Sequence, residues 1–151
     1  MEKQSHYHHL FIMAVLSFVS MYVLMYAMVN SLGNVFNNLN QVYMAALMAA
    51  PMVIIELIVM RAMYHDQKRN AAVIAASLVV GVAAFMLIRF QTGISDRQFL
   101  RSMIPHHASA ILMCGEAPIA DVDIKHLCER ITASQQAEID QMRAKLATLD
   151  R

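Results

Sequence analysis

Polar and apolar positions alternate along this chain in long blocks. A polar opening, "MEKQSHYHH", precedes an apolar run from Leu10 to Val29, "LFIMAVLSFVSMYVLMYAMV". A second run extends from about Val42 to Met60 and a third from Ala71 to Ile88. Crossing a hydrocarbon core takes about 17–25 residues of helix, so the runs predict three transmembrane helices over about 10–29, 42–60 and 71–88. The first run is too long for the apolar part of a signal peptide, and no small-x-small cleavage site follows it, so it is expected to stay as a span.

After Ile88 the period changes. Ser95 and Gln98 have the spacing of a capping box and predict a helix start. Phe99, Leu100, Met103, Ile104, His107, Ala110, Ile111 and Cys114 then recur on one helical stripe. "GEAPIAD" is the expected turn. A second helix is expected from about Asp121 to Leu149, with Ile124, Cys128, Ile131, Gln135, Ile139, Met142 and Leu146 inward. The fold class is therefore all-α, with three spans in a membrane domain (1–94) followed by a two-helix hairpin (95–151). A lone hairpin keeps one open apolar face. Homodimerisation into a four-helix bundle is the simplest way to cover it.

Composition agrees with a membrane chain: 58% of residues are hydrophobic and 15% charged. A net charge of +1 without a basic stripe excludes a nucleic-acid partner. Lipid is the expected surrounding. The first connection, "NSLGNVFNNLNQ", has no lysine or arginine, whereas the second holds Arg61, Lys68 and Arg69. The positive-inside rule then puts the N-terminus, with Lys3, in the cytoplasm and the hairpin outside, although Arg89, Arg97 and Arg101 weaken the bias. In a bacterial inner membrane the hairpin is periplasmic.

The chemistry concentrates in "SMIPHHASAILMC", residues 102–114. Met103 lies three and four residues before His106 and His107, and such pairs are neighbours on a helix. Thioether and thiolate ligands select Cu(I), and imidazole suits copper and zinc. Few carboxylates accompany them, which disfavours calcium, magnesium and a di-iron centre. Copper fits best, as Cu(I), with Cu(II) or zinc as alternatives. The plain reading is that His107 is a core histidine bonded to Gln135, with methionine as filler. Pro105 removes one helical hydrogen bond at the Arg101 carbonyl, and either bends the helix there or marks a new helix start.

"DRQFLRSMIPHHASAILM", followed by "ITASQQAEIDQM", resembles the domain of unknown function 305 family, through Met103, Ile104, His106, His107, Ala110, Ile111, Met113, Gln135 or Gln136, Glu138, Ile139 and Met142. The resemblance covers roughly residues 96–146. It implies a ferritin-like half bundle and extracytoplasmic copper binding, in copper tolerance or trafficking with a possible copper-handling partner protein. Many soluble members carry two copies of the hairpin where this chain carries one. The expected ligands are Met103, His106, His107 and Met113, then Met142 and Cys114, with Gln135 and Glu138 orienting the imidazoles. No nucleophile–base arrangement is present, so an enzyme is not expected. The alternative is a metal-free scaffold or accessory subunit whose hairpin docks on a partner protein.

Other features carry less. Met21, Met25 and Met28, and Met44, Met48 and Met52, form stripes that packing explains as well as a thioether ladder does. Glu56 lies inside a span, where it would reach water or Arg61. Pro51 is expected to kink the second span. His6, His8 and His9 are read as solvated, and His126 as facing solvent. A Cys114–Cys128 disulfide is an option outside the cell, but it is not the favoured expectation, because a simple hairpin sets Cys114 opposite a residue near Val122.

Overall fold

The computed structural model describes residues 2–149, with side chains from residue 6 onward, so Lys3 lies outside the described side chains. Among the described residues all regular structure is helical: α1 (Glu2–Leu24), 3₁₀ turns at Met25–Met28 and Leu32–Asn34, α2 (Leu39–Val59), α3 (Gln67–Arg89), α4 (Asp96–Glu116) and α5 (Val122–Leu149). Three segments, His6–Met28, Leu39–Val59 and Gln67–Arg89, are long and apolar enough to cross a membrane. The first helix starts well before Leu10, because its polar residues continue the helix without breaking it. It ends in a tightened 3₁₀ turn, so the Met21, Met25 and Met28 spacing does not lie on one α-helical stripe.

Two compact units divide the chain. One takes in the chain up to Leu24 with Asn40–Gly93; the other takes in Met25–Leu39 with the chain from Ile94 on. One break between the units falls at Gly93–Ile94, and the hairpin unit also takes in the asparagine-rich connection after α1.

In the first unit, Leu10, Leu57 and Tyr64 form a core against which Tyr7, Met13, Val53, Val73 and Ile74 pack. Ala45, Ala49, Ala50, Ser77 and Ala84 are buried small residues. Small side chains let apolar helices approach closely. Asp66 caps α3 by accepting from the backbone N–H groups of Lys68 and Arg69. At that end the Tyr7 hydroxyl donates to Asn70 Oδ1 (2.7 Å), and the Asn70 amide donates to the Tyr64 carbonyl (2.9 Å). The partner of Glu56 is Tyr64, not Arg61 or water alone, and burial and then the Glu56 carboxylate push the Tyr64 phenol up from its ordinary value. At the opposite end Tyr43 donates to the Thr92 carbonyl (3.0 Å) and Asn40 pairs with Gln91 (3.1 Å). There α3 stops, with Gln91 (φ 50°) and Gly93 (φ 75°) in left-handed backbone that cannot continue a helix.

In the second unit α4 and α5 form the expected hairpin around Ile104, Ala108, Ile139 and Leu146. Ile104 and Ile139 are fully buried, and each such side chain contributes about 1.5–3 kcal/mol. Val29, Phe36, Leu100, Ile111 and Met142 pack on this core. Part of the cover over the hairpin therefore comes from the chain's own connection, Met25–Leu39. Arg143 of α5 fixes that connection, donating to the Gly33 carbonyl (2.6 Å) and to Asn34 Oδ1 (2.7 Å). Ser95 caps α4 as expected, but Gln98 does not complete the capping box. Its Oε1 accepts from the Leu39 N–H instead (2.9 Å).

Candidate functional site

The sequence carries α4 without interruption through Pro105, which is buried, so the helix does not restart there. Two side chains add bonds to backbone carbonyls around it: Ser109 donates to the Pro105 carbonyl (2.9 Å), and His107 Nδ1 lies 2.9 Å from the Met103 carbonyl. On the other side of the ring, His107 Nε2 lies 2.7 Å from Glu138 Oε2 of α5. Both ring nitrogens therefore face oxygen acceptors, the Met103 carbonyl on one side and the Glu138 carboxylate on the other. His107 is 7% exposed. The bond from His107, and next the Ser134 hydroxyl (3.0 Å from Oε1), hold the Glu138 carboxyl below its ordinary value.

This arrangement corrects several expectations. His107 has no ring nitrogen open to a metal while Glu138 and Met103 hold it. Its partner is Glu138, at the place the plain reading gave to Gln135. Cys114 is bonded to Cys128 in a disulfide, with Cα atoms 5.2 Å apart, and offers no thiolate in this state. The disulfide was not the favoured expectation. Ala117 at the end of α4 is extended (ψ 133°) and α5 begins only at Val122, so the connection carries the chain beyond the end of α4. That advance moves Cys128, rather than Val122, opposite Cys114. Met142 packs on the hairpin core. Among the described residues, no three of His, Cys, Asp and Glu come together as a metal-binding group.

What remains of the ligand set lies on the outer side of α4. His106 is exposed, its ring centroid 6.0 Å from that of His107. Met103, one turn earlier, is half-buried, and Met113 is 51% exposed. Met103 and His106 are helix neighbours that can touch one ion. Met113 lies seven residues past His106, about 10 Å along the axis, too far to share an ion with it in one chain. One copy of the hairpin thus offers two adjacent soft and borderline ligands, half of a four-coordinate set. Phe99 and, on α5, Ile124 and Leu127 are also exposed, although Phe99 and Ile124 were expected inward.

No local pattern marks Arg143 as a structural contact, since its partners are a backbone carbonyl and an asparagine far away in the chain. His126 is exposed as expected, 3.1 Å from Glu129 Oε2.

Residues 56–146 match the domain of unknown function DUF305, over more than half of the chain. This chain belongs to the DUF305 family. The matched range reaches from the last turns of α2 through α3 and most of the hairpin, wider than the α4–α5 motif alone. Among curated proteins, the DUF305 chain is similar to uncharacterized protein L153 of Acanthamoeba polyphaga mimivirus, with 35% identity over 138 residues, 89% of each chain. No solved structure matches it.

Proposed function

We propose that this DUF305 chain is a membrane-anchored protein that binds Cu(I) on the extracytoplasmic side, in copper tolerance or trafficking. The observation that carries the reading is the division of labour on α4. His107 is consumed by Glu138 and Met103's carbonyl, whereas half-buried Met103 and exposed His106 are three residues apart on α4. A thioether and an imidazole one turn apart suit Cu(I) better than a hard cation. A second copy meeting the same face would bring the set to two methionines and two histidines. Met113, further along that face, would serve copper transfer rather than the resting site.

Topology is supported from two directions. Tyr7 of α1 bonds to Asn70, so the N-terminal helix and the lysine- and arginine-bearing connection share one end of the first unit. The uncharged Met25–Leu39 connection packs with the hairpin in one unit, so those two share a side. Successive connections of a three-span chain lie on alternate sides of the membrane, and the charge bias puts the lysine- and arginine-bearing one in the cytoplasm. This holds for whichever membrane carries the chain.

The test is competitive Cu(I) titration of the full chain in detergent micelles, against the Met103→Ala/His106→Ala variant. Saturable uptake at half an equivalent per chain, lost in the variant, is expected. Equal uptake by both proteins sinks the site. A second reading, a metal-free docking module, draws on exposed Phe99, Ile124 and Leu127; it would gain if a folded chain took up no copper.

A further inference from the structure

Cys114 and Cys128 join the last turn of α4 to α5, and both are half-buried rather than enclosed. They open on a cleft of about 560 Å³ lined also by Ala117, Ile119, Lys125 and Thr132. Glu129 lies on the same cleft, but its carboxylate accepts from His126. The hairpin core is built from Ile104, Ala108, Ile139 and Leu146, none of which is next to the disulfide in sequence, so the helices have a core that does not depend on it. An accessible disulfide beside a lysine, joining helices packed by other residues, has the attributes of a reducible bond rather than a buried staple.

We infer that the Cys114–Cys128 pair is a reducible dithiol and, once reduced, a two-thiolate site for a soft monovalent metal ion, Cu(I). A dithiol reductant supplies both electrons. Its thiolate attacks one sulfur, forming a mixed disulfide and releasing the other cysteine as thiolate. Its second thiol then displaces the remaining cysteine, leaving the reductant as a disulfide and the protein pair as two thiols. Binding of Cu(I) between the two sulfurs displaces both thiol protons. Thiolate is the softest ligand in the chain, and Lys125 lies on the same cleft. Cys114 sits two residues before the end of α4, where the last turn can give to admit an ion between the sulfurs. The site uses no residue of the Met103–His106 pair and stands or falls without it.

The experiment uses the full chain carrying Met103→Ala, His106→Ala and Met113→Ala, which removes the outer face of α4 as a ligand source. The protein is compared oxidised and after a dithiol reductant has been applied and removed without air, with Cu(I) delivered from a chromogenic chelator. The reduced form should take one Cu(I) per chain, with thiolate-to-copper absorption in the ultraviolet, and the oxidised form none. Adding Cys114→Ser and Cys128→Ser should abolish that uptake, with the helical circular dichroism kept. Equal uptake by oxidised and reduced protein, or a pair that stays closed under the reductant, overturns the proposal. Uptake by the oxidised wild-type chain tests the α4 face separately, because its thiols are then closed.

Discussion

Nε2 of His107 and Oε2 of Glu138 lie 2.7 Å apart, tying α4 to α5 where an apolar hairpin would have leucine against leucine. Because the carboxyl is held below its ordinary value of 4.5, its ionised form is favoured in the folded state. The stability it adds is complete above that value and is lost as pH falls through the lower, folded one. Thermal unfolding of the wild-type chain and Glu138→Gln should therefore differ at neutral pH and converge as pH drops below about 4.5. A gap that widens on acidification would contradict the assignment.

Core and outer face of the hairpin should respond in opposite ways to truncation. Ile139→Ala empties a fully buried position and is expected to cost about 2–5 kcal/mol in denaturant unfolding followed by circular dichroism. Met113→Ala, at an exposed position, should stay within about 0.5 kcal/mol. If Met113 were as costly as Ile139, it would belong to a packed interface rather than to a free face.

Removal of the disulfide should weaken the hairpin without unfolding it. Closing a loop of this length, with cysteines 14 residues apart, restricts the unfolded chain by about 3 kcal/mol in the chain-entropy account. The Cys114→Ser/Cys128→Ser chain should show a loss of that order and the same helical signal at low temperature.

Orientation is open to chemical labelling. In the Cys114→Ser/Cys128→Ser background, single cysteines at Ser31 and His65 occupy exposed positions in the first and second connections. A membrane-impermeant maleimide added to intact cells should label the first and spare the second until the membrane is opened. The reverse pattern would invert the proposed topology.

The spans were legible because hydropathy over twenty residues is a strong signal, and the α4 cap at Ser95 because capping depends on local sequence. The hairpin was legible for the same reason, in its 3.6-residue stripe. Its register was not, since five residues between the helices can be coiled tightly or extended, and only their extension opposes Cys114 to Cys128. The histidine pair was recognisable as chemistry, yet the separate fates of His106 and His107 depend on which one α5 meets. Glu138 was noticed as an orienting residue, but its preference over Gln135 is again a matter of register. Docking of the asparagine-rich connection could not be read at all, because Val29, Phe36 and Asn34 find their partners on the hairpin, far along the chain.

That distance in sequence sets an order of events during synthesis. Gly33 and Arg143 are 110 residues apart, so the connection leaves the ribosome long before the guanidinium that fastens it exists. Domains usually fold as they emerge, from the N-terminal end onward. Here the second unit must wait, with Gly33 and Asn34 unfastened, until α5 is complete. A nascent chain stalled anywhere before Arg143 would carry inserted spans and an unfinished outer unit, and quality control would meet it as a misfolded protein rather than as a shorter one.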